Sequence, residues 1–424
     1  MLKNYYLNNM NRVLLISNNS LRRTNSNGST LINHLSAFKH DEVITFSIDN
    51  ALPDRDAGIA HFKTTDNEHL KYFLSKKKLG RVVLNDELTE SVSLPKGEGK
   101  HKGIKESAFG HYIREFIWKH NHKERDNLYK FIDEYKPNVI LYMCGRSTFM
   151  NKITLDIHRK YNIPIVIYTS EDEYFHIYPF YKVIKNILQY RLKKSYKELL
   201  SETSKVICQH DKLNKLFKDE FNVKCVTIMP SIKLDELKVR DNKYGDIVYI
   251  GNIQPNRYSS LICIADKLKE IDENAFIHLY SGDLTSKIIH ELSKYSNIKI
   301  HNPVSKDKVK DIINNAKLLL HFESFKSKDK VLFQNGFSTK IPESLASGVP
   351  FFIVAPNYAG FSSYMIDNNL CYVSNLDNLK DNLEKVLNNT SYRNELSLRQ
   401  IDTAKKNHDI SINSKRIKEE LTNL

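Results

Sequence analysis

At 424 residues, the chain exceeds the roughly 250–300 at which a single hydrophobic core stops growing, so two domains are expected. A hydrophobic share of 41% with 23 Tyr and 20 Phe supplies sizeable cores, and 14 Gly and 11 Pro are too few for a collagen-like or generally disordered chain. Lys and Arg number 64 against 50 Asp and Glu, and the formal charge of +14 points to an anionic partner: a nucleotide diphosphate, a lipid head group, an acidic polysaccharide or nucleic acid.

No window reaches the ~18–20 consecutive apolar residues of a membrane span, and the polar, Asn-rich residues 1–10 do not read as a secretion signal. A cytoplasmic location is therefore expected. Cys144, Cys208, Cys225, Cys263 and Cys371 are odd in number and widely spaced within apolar runs, which suits reduced core thiols. A zinc site would need close CxxC or HxxxH pairs, and the sequence has neither. Basic clusters at residues 76–78, 96–105 and 182–197 come without an RNA-binding sheet motif or a Cys/His finger, so nucleic acid is not expected as the partner.

The first strand signal is Arg12-Val-Leu-Leu-Ile-Ser17, followed by a turn containing Asn27-Gly-Ser-Thr30, a helix over 31–38 and a second strand over 42–48. Residues 50–110 read as less regular, with a loop at 93–103. A helix over 116–135, strand 139–143, helix 148–161 and strand 163–168 follow. Next come a helix over 181–202 and short strands at 205–208 and 226–229. A polar link at 231–244 precedes a restart at Asp246-Ile-Val-Tyr-Ile250, and strands and helices alternate again to a charged helical end. Alternation of this kind predicts parallel sheets. The expected architecture is α/β: two Rossmann-like domains facing across a cleft, residues 1–235 and 236–395, with a helical segment 396–424 returning to the first.

The most informative stretch is Asn335-Gly-Phe-Ser-Thr-Lys-Ile-Pro-Glu-Ser-Leu-Ala-Ser-Gly-Val-Pro350. A loop that leads into a helix presents free backbone N–H groups and partial positive charge to an anion. Ser338, Thr339 and Lys340 stand at that helix start, and Glu343 follows three residues on. The stretch resembles the donor-site signature of GT-B glycosyltransferases, especially the large retaining family that builds bacterial polysaccharides and glycolipids. That resemblance implies a nucleotide-sugar donor as co-substrate, its diphosphate by Ser338, Thr339 and Lys340, and its ribose on Glu343. It also implies no metal or other cofactor, and a saccharide or lipid-linked acceptor. The family's earlier Glu, eight positions before Glu343, is Asn335 here. An amide still bonds a sugar hydroxyl but carries no charge, which leaves the donor sugar and the stereochemical outcome open.

Four further segments resemble the same family. In Tyr249-Ile-Gly-Asn-Ile253, the resemblance places Gly251 and Asn252 beneath the donor phosphates, with Arg257 pairing with them; a guanidinium fork suits phosphate. Leu279-Tyr-Ser-Gly-Asp283 resembles the turn beside the nucleotide base and nominates Gly282. Gly28 matches the first-strand turn that borders donor phosphate and acceptor. In Ile163-Pro-Ile-Val-Ile-Tyr-Thr-Ser-Glu-Asp-Glu-Tyr174, the strand end that carries a His-Asp pair in the family offers Glu171 and Asp172. Either could orient or deprotonate an acceptor hydroxyl, or cap the next helix. Two other readings stand beside transfer: a non-catalytic GT-B partner or chaperone of an active transferase, and a nucleotide-sugar epimerase. The basic surface suits peripheral contact with an anionic inner membrane face.

Overall fold

The computed structural model describes residues 11–75, 79–84, 87–88, 107–121, 124–170 and 173–424. The expected loop at 93–103, the basic clusters at 76–78 and 96–105, and both Glu171 and Asp172 lie outside the described residues. The chain divides into two compact units, residues 1–231 with 410–424, and residues 232–409.

The described part of the first unit holds an eight-stranded sheet in the order β4-β3-β2-β1-β5-β6-β7-β8. Its strands are β1 (Val13–Ser17), β2 (Val43–Ser47), β3 (Ala60–Lys63), β4 (Arg81–Leu84), β5 (Val139–Met143), β6 (Ile165–Thr169), β7 (Thr203–Cys208) and β8 (Cys225–Thr227). All neighbours run parallel except β3 and β4. Every residue of β1, β2 and β6 is buried, as continuous Val/Ile/Leu runs require when helices cover both faces. The helices are α1 (Ser26–His34), α2 (Asp66–Ser75), α3 (Ala108–His120), α4 (Glu124–Tyr135), α5 (Thr148–Tyr161), α6 (Val183–Ser201) and α7 (Asp211–Phe221). Asn162 and Asn222 close α5 and α7 in the left-handed conformation, with φ of 53° and 50°. Asn tolerates that region through its short polar side chain, and so does the work more often given to Gly.

Three local expectations change. Helix α1 starts at Ser26 rather than 31, because the Asn25 side chain accepts from the Gly28 N–H and caps it. The single helix expected over 116–135 is two, with buried Asn121 in extended conformation after α3; a short amide favours such breaks. The region taken as irregular contains β3, α2 and the antiparallel edge strand β4.

In the second unit, β9 (Ile247–Ile250), β10 (Ile277–Tyr280), β11 (Ile298–His301), β12 (Leu318–Phe322), β13 (Phe351–Val354) and β14 (Tyr372–Val373) form a parallel sheet in the order β11-β10-β9-β12-β13-β14. Around it lie α8 (Arg257–Ile271), α9 (Ser286–Leu292), α10 (Lys306–Asn315), α11 (Lys330–Phe333), α12 (Lys340–Ala346), α13 (Ser362–Asp367), α14 (Leu379–Asn388) and α15 (Thr390–His408). The buried Gln400 amide on α15 donates to Phe351 O at 2.8 Å and accepts from Phe351 N at 3.2 Å, so the helix is pinned to the first residue of β13. The last helix, α16 (Ile410–Thr422), belongs to the first unit. There Ile417 and Leu421 are buried, Lys418 bonds Glu42 at 2.9 Å, and Glu420 pairs with Lys205 at 2.6 Å.

Both sheets reverse strand order once near their middle, between β1 and β5 and between β9 and β12. In open parallel sheets, the crevice beyond the strand ends at such a reversal is where ligands bind. Both candidate regions below sit at these points. No helix among the described residues is long and apolar enough to cross a membrane.

Candidate functional site

Strand β9 ends at Ile250, and Gly251 follows with φ of 156° and its amide donating to Tyr280 O at 2.9 Å. A Cβ at Gly251 would stand 1.9 Å from the Lys340 ammonium nitrogen. Glycine therefore creates the space into which Lys340, the first residue of α12, folds its side chain. Beneath them Tyr249 stacks on Phe322 at 4.1 Å and donates its hydroxyl to Asn252 O at 2.6 Å. This gives the strand end a rigid aromatic floor.

The loop after Gly251 is fixed by Asp283, whose carboxylate accepts from Ile253 N at 2.8 Å, Gln254 N at 3.0 Å and Ser281 Oγ at 2.7 Å. Gly282 lies exposed inside that turn. The loop delivers Arg257 at the start of α8. Arg257 grips the Glu323 carboxylate with two bonds, Nε to Oε2 at 2.6 Å and Nη2 to Oε1 at 3.1 Å, while Nη1 donates to Gln254 O at 2.7 Å. Glu323, just past the end of β12, is 3% exposed. Burial pushes its carboxyl upward while the Arg257 charge pulls it back.

Although Lys340 as a residue remains exposed at its helix start, its ammonium is drawn in over Gly251. Burial, then the nearby Arg257 charge, lower its pKa to about 8. His321 is buried on β12 and held down to about 3 by burial, Arg257 and Lys340, so it is neutral at physiological pH. Its Nε2 has no hydrogen-bond partner among the described residues. His321, Lys340, Ser344 and the exposed Glu343 line one cavity of about 210 Å³, whose remaining walls are largely apolar side chains of β9, α10 and β12. The site thus offers two cations, Arg257 paired with Glu323 and Lys340 held at a lowered pKa of about 8, beside a small slot with a neutral imidazole whose Nε2 stands 3.7 Å from Glu323 Oε1. An anion placed against Gly251 would raise that pKa again.

Of the residues nominated from sequence, the structure gathers Gly251, Asn252, Arg257, Gly282, Lys340 and Glu343 around the ends of β9, β10 and α12. Ser338 and Thr339 precede α12, and the Ser338 hydroxyl accepts from Lys340 N at 3.4 Å. Asn335 is buried in the turn before α12, where the adjoining Gly336 packs on Gly360 so closely that a Cβ at Gly360 would meet Gly336 O at 2.3 Å. Gly28 belongs to the first unit; its amide is taken by Asn25, and a Cβ there would meet the Arg22 backbone at 2.5 Å. Sequence reading assigned no role to Glu323, His321, Asp283 or Tyr249. The usable signal for His321 and Glu323 was their position at the end of the strand next to β9.

The first unit carries its own cavity of about 560 Å³ beyond the ends of β1, β5 and β6, reached by Asn18, Asn27, Arg146, Ser170 and Glu173. Arg146 is ion-paired with buried Glu173 and lies 3.4 Å from His176 Nδ1. Arg114 bonds Asp66 at 2.8 Å and Ser147 Oγ at 3.0 Å. His111 is lowered by burial and then by Arg114. Ser170 and Glu173, on either side of the nominated Glu171 and Asp172, both line this cavity. Among the described residues, no group of three or more His, Cys, Asp or Glu could hold a metal ion.

The sequence matches no protein-family model and no curated protein. Solved structures match along nearly the whole chain. HepE of Anabaena, in complex with UDP and glucose, aligns at 10% identity over 97% of this chain and 100% of that one, with a TM-score of 0.61. The fold is GT-B. Sucrose-phosphate synthase of Thermosynechococcus elongatus shares it at 11% identity, 97% and 98% coverage and a TM-score of 0.61. So does the trehalose-6-phosphate synthase OtsA, at 11% identity, 97% and 99% coverage and a TM-score of 0.62. At such identities the likeness is one of GT-B architecture, and residue roles have to be argued from the site itself.

Proposed function

We propose that the chain is a glycosyltransferase that moves a sugar from a nucleotide-sugar donor to a saccharide or lipid-linked acceptor in surface polysaccharide or glycoconjugate synthesis. The observation that carries this reading is the Lys340 ammonium folded over Gly251 beside Arg257, at the strand-order reversal of the second sheet. It brings two cations to the place where this architecture binds ligands. Support also comes from the GT-B neighbours solved with UDP and glucose and with UDP-2-fluoro glucose.

In this reading Gly251 and Asn252 let the backbone approach the donor diphosphate, Arg257 and Lys340 bear its charge, and Ser338 and Thr339 flank it. Glu343 accepts from the ribose hydroxyls, and Gly282 borders the base. Asn335 takes the place near the transferred sugar, and Glu171 and Asp172 serve the acceptor, with Gly28 at the same border. The chemistry is positioning and electrostatic support of the leaving diphosphate, which two cations and preorganised N–H groups supply without a metal. Retention of configuration, a cytoplasmic site of action and peripheral contact with an anionic membrane complete the proposal.

Thermal-shift measurements over UDP-, GDP-, CMP- and TDP-sugars test it, because a ligand that binds only the folded state raises apparent stability. One donor is expected to stabilise the protein. Glu343→Ala should weaken that donor about ten- to a hundredfold, the worth of hydrogen bonds to a carboxylate. Stabilisation by none of them, with no turnover on added acceptors, would overturn the reading. Gly251→Ala supplies a second check: the new methyl must expel the Lys340 ammonium, so donor affinity should fall about tenfold or more. Unchanged donor titrations in that variant would count against Lys340 as the phosphate contact.

A further inference from the structure

Helix α6 and the segment before it are unlike the rest of the described surface. Phe180 is 90% exposed, Ile177 78% and Tyr190 73%, and Tyr181, Val183, Ile184 and Ile187 are exposed beside them. Single exposed apolar residues are ordinary, but a contiguous group of this kind marks an interaction surface. The segment is a fixed part of the fold. Asn186 Nδ2 donates to Pro179 O at 3.0 Å, and buried Gln189 Nε2 donates to Glu173 O at 2.9 Å and Tyr174 O at 3.0 Å, so the turn is tied back onto its own helix. The burial of α6 begins only at Gln189; its first turns stand clear of the core. The neighbouring helix α3 extends the patch with exposed Phe109 and Phe116, and Arg191 stands 4.9 Å over the Tyr112 ring between the two helices.

The charges around this patch say what covers it. Residues 174–197 contain Lys182, Lys185, Arg191, Lys193, Lys194 and Lys197 and no Asp or Glu. A second copy would bring the same cations face to face, and a nucleic acid would leave the Phe and Ile side chains in water. Aromatic and aliphatic side chains among Lys and Arg, with no acid between them, match an anionic lipid surface. There the apolar groups enter the head-group boundary and the cations meet phosphates.

We propose that the start of α6, with the turn at 177–181 and the exposed face of α3, is a docking surface for an anionic bilayer. Tyr178, Lys185 and Leu188 belong both to this segment and to the lining of the first-unit cavity. Docking therefore brings that cavity to the lipid head groups. The proposal rests on the membrane part of the functional reading and is independent of its donor chemistry, because binding to a bilayer requires no nucleotide.

The test is co-sedimentation of the full chain, without nucleotide, with vesicles of phosphatidylcholine alone and of equimolar phosphatidylcholine and phosphatidylglycerol. Binding is expected to the anionic vesicles only. It should fall about tenfold or more in Phe180→Ser/Ile184→Ser and in Lys182→Ser/Lys194→Ser, with unfolding temperatures unchanged, since each substituted side chain is exposed. Failure to bind anionic vesicles, or equal binding by both double variants, would overturn the proposal. So would a concentration-dependent dimer that the Phe180→Ser/Ile184→Ser variant dissolves, which would assign the patch to a second copy. Donor titrations by thermal shift in the same variants separate the two readings: they should be unaffected.

Discussion

Lys340→Met is expected to lower kcat/KM for the nucleotide-sugar donor by about a hundredfold to a thousandfold, the usual cost of removing one preorganised charge from a reaction centre. In the structure the Lys340 ammonium is partly desolvated against Gly251 and Tyr249 and stands near Arg257, and its pKa is lowered to about 8. A bound diphosphate reverses that balance and raises the pKa again, so binding takes up a proton when the pH exceeds about 8. Donor affinity should hold below that pH and fall by up to about tenfold per unit above it. The sign for stability is opposite. A lysine with a depressed folded pKa is better tolerated neutral, so empty-protein stability rises as the pH climbs from about 8 towards the ordinary lysine value. Lys340→Met should accordingly fold at least as well as the parent while losing the pH dependence of donor affinity. Isothermal titration at several pH values in buffers of different ionisation enthalpy reads both effects. A variant that binds donor as tightly as the parent at pH 7 would remove Lys340 from the site.

Breaking the pair of Arg257 and Glu323 should have unequal consequences on its two sides. Arg257→Met leaves the Glu323 carboxylate buried without its partner, at a cost of roughly 3–5 kcal/mol. For a domain of this size that is a drop of very roughly 6–20 °C in unfolding temperature. Glu323→Gln keeps the shape and frees a guanidinium whose side chain is 20% exposed; it can turn towards solvent, so the loss should be about half as large or less. The functional order is the same, because in the proposed reading Arg257 meets the donor and Glu323 acts only by aiming it. Glu323→Gln should raise KM for the donor while retaining folding, and the double variant Arg257→Met/Glu323→Gln should recover much of the stability lost in Arg257→Met without recovering donor binding. Chemical denaturation of the four proteins closes the cycle. Additive losses would mean that the pair is not coupled and that its arrangement at the end of β12 has no consequence for the site.

Much of this was legible in the sequence because parallel sheets write themselves plainly: β1, β6 and β12 are short apolar runs bounded by polar turns, and their alternation with helices dictates the layering. The stretch from Asn335 to Pro350 likewise showed its loop and helix start, and the structure places α12 there, followed by left-handed Gly348 with φ of 74° and then β13. What could not be read was partnership across the fold. Glu323 and Arg257 are far apart in sequence and become neighbours only because β9 and β12 adjoin in the sheet. Asp283 reaches the loop after Gly251 for the same reason, through β10. The break after α3 was hidden because charged residues on both sides favour helix equally, and the edge strand β4 because its alternation is only four residues long.

The first unit is discontinuous: its sheet is complete by residue 231, yet Ile417 and Leu421, which help cover Leu31, Leu141 and Val166, come from the far end of the chain. During synthesis the ribosome must therefore make the whole second unit before the first can close its apolar face. Until α16 emerges, the nascent first unit exposes a hydrophobic face, and the second unit has time to assemble as an uninterrupted segment while its elder neighbour waits for its last helix.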